Sequence, residues 1–587
     1  MKRAAAVTVL LLLLPVVVPA GCAGGQKAGT SSIYSLTASG GTLTGTGDGS
    51  RTLKLTGVSP TATRFTMRPN READPVKTTA FVNRWSDTFE NGKAVAALSL
   101  DASAGDEAAV MTLREPNHDV RAGTLTCTVE EVPSRGGRSS WEGKPVSQVP
   151  GEFSSATLFI EQGTGKASST PILVSEGAVS ISFRGQYYYV NIDMTRGVSH
   201  YRIGQQYARA INRINPDAGF RISTYVSTLI LLLAMEHDVS GSDLLKRADE
   251  IKRSLPEEYA DEIDGLASGM KPYFPLSASN LMYLYNLLPD VFRWSSCSAF
   301  AAWGESSSTG SNIVYRTLDW YEGLLDEGTE IHAITRYHFA DRDVHVIGVL
   351  GHLGCITGIS TGDPQGRQGI MGAIMDADVT GSRYSARGCR SYNFDLRYAL
   401  EHFSTKDEIA RFMADKPYTF SHLILLADSS DTVVLENNVS GMGDPCSRAV
   451  RDDGSALNPK IAWGYPSMLG AVNCFCLQGQ ADNFSRGING EINAERWALL
   501  RKKIDELNTA RSGYMFAPDD VKEMMTSYWG SSPGSLEADQ GDLYNQQTQQ
   551  MALYIPAEGF LEVFFKPLDG STPEVPTFTP IPLERAR

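Results

Sequence analysis

The stretch from Trp294 to Tyr321, WSSCSAFAAWGESSSTGSNIVYRTLDWY, constrains this chain more than any other. An apolar run, Ala299 to Trp303, reads as a buried strand headed by Cys297. A Ser/Gly turn follows at Glu305 to Gly310. A second strand-like run, Asn312 to Tyr315, then delivers Arg316 and, three residues on, Asp319. A hairpin returns the chain to where it began, so Arg316 and Asp319 are expected beside Cys297. A thiol flanked by a fixed cation and a carboxylate is the setting that makes a nucleophile. A lone cysteine in an apolar run is more often a small buried hydrophobe, and only its charged neighbours favour chemistry.

The base is the missing part. The hairpin has no histidine, and the whole chain has nine. If the bond between Ser296 and Cys297 is cut, Cys297 gains a free α-amine, whose ordinary pKa of about 7.7–8.0 suits a general base. The amine lies next to its own thiol and Asp319 can hold it in place. Ser296 and Cys297 are therefore the expected autocleavage pair, in an N-terminal-nucleophile hydrolase that is silent until it cuts itself.

The order C-S-x-F-A-A-W-G, turn, R-x-L-D-W resembles the start of the mature chain in the choloylglycine hydrolase and penicillin acyltransferase group, which includes acid-ceramidase-like amidases. The Cys-to-Arg spacing is 19 (316 − 297) and the Arg-to-Asp spacing is 3 (319 − 316). The resemblance covers roughly 297 to 570. It implies an autoproteolytic αββα sandwich that hydrolyses linear non-peptide amides, or transfers their acyl groups, without a cofactor. Asn473, in GAVNCF, stands where the family has its oxyanion Asn, although Val472 departs from the T-N-x-F pattern. Arg496, in AERWALLR, matches a helical Arg that faces the nucleophile. Thr357 and Ser360 occupy the family's TG-x-N pocket stretch, with Ser360 in place of the Asn, and are candidates for the oxyanion contact. QQMALYIPAEGFLEVFFKPLDG matches the closing hairpin. By residue type alone, Asn473 is a turn cap and Arg496 an exposed helix Arg paired with Glu495 or Asp505.

Composition excludes several alternatives. A net charge of −14 with no basic stretch argues against nucleic acid. Residues 1–22 read as an export signal, with a basic start, an apolar run broken by Pro15 and Pro19, and a small-residue site. Ala20-Gly21-Cys22 resembles a lipoprotein processing box with Cys22 as the lipidated residue. Pro19 replaces the usual Leu there, so ordinary secretion is the other reading. The location expected is extracellular or lipid-anchored at a membrane. Beyond Cys22 and Cys297, six cysteines could pair in an oxidising compartment: Cys127, Cys355, Cys389, Cys446, Cys474 and Cys476. Cys474-Phe475-Cys476 lacks zinc or redox spacing and no HExxH occurs, so no metal is expected.

The chain then divides. A polar tether at 23–31 precedes a β-sandwich module at 32–163, read from TLKLTGV, TRFTMRP, AVAALSL, AAVMTLREP, GTLTCTVEEV and SATLFIEQG. A mostly helical prosegment occupies 177–296, and the catalytic domain 297–587. The class is α+β. Gly165-Lys166 lacks the frame of a phosphate loop. Gly358 to Gly362 matches the G-x-S-x-G elbow around Ser360, but a helix-breaking Gly-Asp-Pro follows where a helix is required. His332, His338 and His345 are expected on solvated strand faces. The expected partner is a small N-acyl amide, together with an acyl donor or acceptor. Two other readings are an exported surface-binding protein with an inactive catalytic-like domain, and a serine esterase using Ser360.

Overall fold

The computed structural model describes residues 32–583, apart from 46–50, 67–72, 86–88, 90–91, 101–108, 121, 132–143, 146–148, 155, 163–172, 237–239, 271–276, 293–295, 324–325, 363–368, 378–385, 440–447, 485–489, 511–514 and 534–540. The export signal with Cys22, the tether, Gly165-Lys166, Trp294 and Cys446 lie outside the described residues. The chain forms two compact units, Met1–Thr170 and Pro171–Arg587.

In the first unit each of the six expected runs holds a strand among its described residues. In place of the two sheets of a sandwich, eleven strands pair in one continuous sheet. One of its strands carries a bulge. Strand Ala109–Asp119 changes register between Arg114 and Asn117, with Glu115 at positive φ. A bulge of this kind sharpens the local twist. Alternate residues, among them Leu36, Leu53, Leu98, Met111 and Ile160, gather in a single core with Phe81 and Trp85.

The second unit holds two further sheets. The larger contains β1 (Leu173–Glu176), β2 (Val179–Phe183) and β3 (Tyr188–Asp193), which precede Cys297 in sequence. It continues with β6 (His332–His338), β7 (Asp343–Val349), β8 (Thr357–Ser360), β9 (Ile370–Asp376), β10 (His422–Ala427), β11 (Thr432–Asn437) and β12 (Arg448–Arg451), in that spatial order. Every pair is antiparallel except β3 with β6, which is parallel. The smaller sheet uses β4 (Ser296–Ala302), β5 (Ile313–Asp319), β13 (Met468–Val472), β14 (Thr548–Ile555), β15 (Phe560–Phe565) and β16 (Thr579–Ile581). Its order is β13-β4-β5-β14-β15-β16. The expected hairpin at the C-terminal end is β14–β15, but the short β16 pairs beyond it and forms the edge.

Strand alternation sorts the cores. Leu423 and Leu425 of β10 join a core shared with Cys297, Ala299, Val314 and Leu318 of the smaller sheet. Ile424 and Leu426 face helices instead. On the smaller sheet Phe300, Tyr315 and Leu553 meet Leu499 and Leu500 of α9 (Gly490–Ala510) and Val521 of α10 (Pro518–Met525). Each sheet therefore has one face on the shared core and the other on helices.

The helices over the larger sheet come from both sides of Cys297: α1 (His200–Ile214), α2 (Ala218–Glu236), α3 (Gly241–Lys252), α4 (Glu257–Gly269), α5 (Ala278–Asn286), α6 (Leu288–Val291), α7 (Tyr392–His402) and α8 (Lys406–Ala414). Capping boxes start α3 at Ser240 and α8 at Thr405, each satisfying N-terminal amides that the helix leaves orphaned. Gly204 and Gly265 let α1 and α4 touch backbone to backbone, since a Cβ on either would collide with the other helix. That contact sets Glu262 of α4 against Arg397 of α7. Arg397 Nη1 and Nη2 donate to the Glu262 carboxylate at 2.5 and 3.0 Å, and both residues are fully buried. None of the described helices is long and apolar enough to cross a membrane.

Two expectations are corrected here. His332 and His345 are 1% and 0% exposed, because β6 and β7 are interior strands covered on both faces. Burial pushes their pKa down to about 3 and about 4. Only His338 is partly exposed, 2.7 Å from Asp343. Among the described residues Cys127, Cys297, Cys355, Cys474 and Cys476 are free thiols. Cys127 lies in the first unit's core and Cys355 under the helices of the second. Only Cys474 and Cys476 approach each other, with sulfurs 4.0 Å apart.

Candidate active site

Cys297 is the second residue of β4, pinned between β13 and β5 and fully buried. The pairing register decides which neighbours reach its thiol. Cys297 opposes Leu318 and Ala299 opposes Arg316, so the side chains of Cys297 and Arg316 lie on one face, toward the larger sheet. Arg316 Nη2 is 3.5 Å from Cys297 Sγ and donates to the Ile374 carbonyl of β9 at 3.1 Å. The cation is thus anchored to one sheet while serving a thiol on the other.

Asp319 lies on the opposite face. It pairs with Ser296 and its carboxylate points among the helix-side groups. Thr548 donates to Asp319 Oδ1 at 2.7 Å, and Asn545 and Arg496 Nη2 approach Oδ2 at 3.4 Å each. The hairpin does bring Arg316 and Asp319 to Cys297, but to different sides of it. A third group of the cluster is the Cys297 backbone nitrogen.

That nitrogen has its own partner. The Cys297 N–H donates to Asn473 Oδ1 at 2.6 Å, and Arg496 Nη1 reaches the same oxygen at 3.4 Å. Asn473 follows the last residue of β13, and its Nδ2 donates to the Asp376 carbonyl at 2.8 Å. Asn493 Nδ2 in turn donates to the Asn473 carbonyl at 3.0 Å. Arg496 is buried and donates from Nε to the Asp542 carbonyl at 3.1 Å, so it is not the exposed helix Arg that residue type suggests. Ser296, Cys297, Arg316, Asp319, Asn473 and Arg496, distant in sequence, form one connected buried cluster.

Electrostatics divide the cluster. Burial pushes the Cys297 thiol up to about 11, against the pull of Arg316. Burial also raises Asp319, partly offset by Arg496, and lowers both arginines. With the peptide bond intact the thiol is therefore protonated near neutrality, and a thiol is a poor nucleophile in that state.

The pocket candidates separate. Thr357 is on the same face of β8 as Ile359, which belongs to the core shared by the two sheets. Its Oγ1 is buried without a protein partner. Ser360 shares the face of Gly358, whose missing Cβ would meet Cys355 and Leu400 on the helix side. Alternation turns Ser360 away from Cys297, and the described residues straight after it, Thr361 and Gly362, are not helical as an esterase elbow needs. Among the described residues no group of three or more His, Cys, Asp or Glu could hold a metal ion.

Residues that motif reading missed are Asn545 and Thr548, which hold Asp319, and Asp376 and Ile374, which contribute carbonyls. The first pair sits in a turn where Thr548 Oγ1 accepts the Asn545 amide at 3.1 Å. An N-x-x-T just before the last long hairpin was the available signal.

No protein-family model matches the chain and no curated protein matches its sequence. Among solved structures, a Caenorhabditis elegans N-acylethanolamine-hydrolyzing acid amidase ortholog is similar over 44% of this chain and 93% of its own, at 16% identity and a TM-score of 0.30. Penicillin V acylase from Agrobacterium tumefaciens is similar over 46% of this chain and 83% of its own, at 10% identity and a TM-score of 0.24.

Proposed function

We propose that the protein is a self-cleaving cysteine hydrolase or acyltransferase for linear N-acyl amides, built as an αββα N-terminal-nucleophile domain. One observation carries the reading. The Cys297 backbone nitrogen is held at 2.6 Å by Asn473, with the thiol and Arg316 on one side of it and Asp319 with Arg496 on the other. A thiol alone would need only the first half of that arrangement. A backbone nitrogen destined to become an amine needs the second.

Maturation begins when Cys297 Sγ attacks the Ser296 carbonyl carbon and the C–N bond breaks, giving a thioester and a free α-amine. Water hydrolyses the thioester, leaving Ser296 with a carboxylate and Cys297 with its thiol. The new amine then takes the thiol's proton as the sulfur attacks a substrate amide carbonyl. The amine passes that proton to the leaving amine of the substrate. Water, or an acceptor amine, resolves the acyl-enzyme. Asn473 Oδ1, which now accepts from the Cys297 N–H, goes on to hold the new amine, and Asn473 serves the oxyanion when its Nδ2 turns from the Asp376 carbonyl to the substrate. Export and lipidation at Cys22 belong to the same proposal.

Intact mass and a denaturing gel of purified wild type beside Cys297→Ala test it after timed incubation. The wild type is expected to release a fragment beginning at Cys297, of 291 residues (587 − 297 + 1). Cys297→Ala is expected to stay whole and to hydrolyse no amide. A wild-type chain that stays whole throughout leaves the thiol without its base and defeats the reading.

A further inference from the structure

Where β5 meets β14 the pairing skips a residue. Leu318 opposes Gln550, but the next residue, Asp319, opposes Thr548, so Gln549 stands in a bulge. In unbroken register Asp319 would oppose Gln549, and the Thr548 side chain would leave on the other face. The bulge instead sets the Thr548 hydroxyl 2.7 Å from Asp319 Oδ1.

Neighbouring groups fix the direction of that bond. Thr548 Oγ1 accepts the Asn545 backbone N–H at 3.1 Å, which leaves the hydroxyl proton for the carboxylate. Asn545 Oδ1 accepts the Gln547 N–H at 2.8 Å, so Nδ2 is the atom turned toward Asp319 Oδ2. The Thr548 N–H closes the turn on the Asn545 carbonyl at 3.1 Å. Asn545, Thr548 and Asp319 are 4%, 1% and 0% exposed. One short turn thus holds two donors on a buried carboxylate, which favours its charged form.

That support is needed at this position. Burial works against the charge on Asp319, and the cations that oppose burial are Arg496 of α9 and Arg316 of its own strand. Cys297 on β4 and Tyr315 on β5 are its other titratable neighbours. Arg496 is shared with Asp542 and reaches Asp319 only at 3.4 Å, a longer contact than that from Thr548.

We propose that Thr548, set opposite Asp319 by the bulge, is a positioning residue that keeps the Asp319 carboxylate ionised and so fixes the lower end of the pH range over which the site works. The use made of that charge rests on the amide-cleaving reading, in which Asp319 holds the Cys297 α-amine; the bond from Thr548 does not. Infrared spectra of full-length Cys297→Ala protein follow the carboxyl without turnover, its protonated band being the one that a further Asp319→Asn exchange removes. Losing a donor to the charged form raises the pH at which a carboxylate takes its proton. On the Cys297→Ala background Thr548→Val is therefore expected to raise the pH at which the band appears by roughly one to two pH units, the size of one hydrogen bond to a charged group. Thr548→Ser is expected to leave it in place, and Thr548→Ala serves if the valine protein fails to fold. A band that appears at the same pH with and without the hydroxyl, or in neither protein down to its acid unfolding, overturns the proposal. In processed chains the acid limb of kcat/KM for dodecanoyl p-nitroanilide is expected to move up with the band. A moved band with an unmoved limb overturns the proposal as well. A wild type that never releases its Cys297 fragment sinks the hydrolase reading alone, and the band then decides this inference.

Discussion

At the scale of single residues, the site turns on which face of a strand each side chain occupies. Cys297 and Arg316 share one face, and Asp319 takes the other with Arg496. Asn473 bridges the two through the Cys297 nitrogen. Truncating Asn473 to Ala removes the acceptor of the Cys297 nitrogen and is expected to slow turnover by roughly tenfold or more with KM little changed, the loss expected of one hydrogen bond to a reacting group. Steady-state kinetics on the processed enzyme check this, and a melting curve excludes unfolding. Cys297, Arg316 and Asp319 were legible in the sequence because a tight hairpin makes near neighbours in sequence near neighbours in space. Which side each took was not. That depends on the pairing of Ser296 with Asp319, a register set by the whole length of β4 and β5 rather than by the motif.

At the scale of elements, the helices were legible and their joining was not. Starts such as Ser240 and Thr405 announce themselves through local capping. The bond between Glu262 and Arg397 spans 135 residues and joins α4 to α7 with no local trace. Arg397 also donates to Glu401 at 2.8 Å, so its removal takes the arginine from two buried carboxylates. Arg397→Leu is expected to cost about 3–5 kcal/mol, the range for breaking a buried pair on one side, measured as the shift in denaturant midpoint. Asp290 of α6 makes a second join. Its carboxylate accepts from the Tyr392 amide at 2.8 Å and from Asn393 Nδ2 at 2.8 Å, at the start of α7. Burial raises its pKa to about 8. The folded state therefore holds a proton that the unfolded chain has lost above about pH 4. The stability from this group is whole below that pH and is lost as pH rises to about 8, with a slope of about 1.4 kcal/mol per pH unit for one proton. Asp290→Asn should remove that slope. Unfolding curves of both proteins between these pH values check it by difference.

At the scale of the whole molecule, the chain divides into Met1–Thr170 and Pro171–Arg587, and the first unit has a core of its own. A chain beginning at Pro171 is accordingly expected to fold, to cut itself at the wild-type rate and to keep its turnover, followed by mass spectrometry and amide hydrolysis. Loss of processing in that chain would assign the first unit a part in maturation. Less legible was the make-up of the larger sheet. The alternation from Val179 to Met194 marks β2 and β3 as strands ahead of the helices, but nothing in it says that, with β1, they join the larger sheet. The parallel join of β3 to β6 leaves no local signature, because parallel partners are never hairpin neighbours.

That join has a consequence for the protein's history. The bond proposed for cleavage lies between the first two residues of β4, and of the strand pairs only the Ser296–Asp319 step of β4 with β5 spans it. Before the cut, folding is a unimolecular event within one chain. After it, the same architecture is a two-chain complex, and its stability follows mass action. A processed molecule that came apart in dilute solution would have to find its other half again, whereas its precursor needed only itself. Self-cleavage would then act as a ratchet: the chain assembles its fold while covalent connection makes assembly easy, and gives up that connection only once the fold is complete.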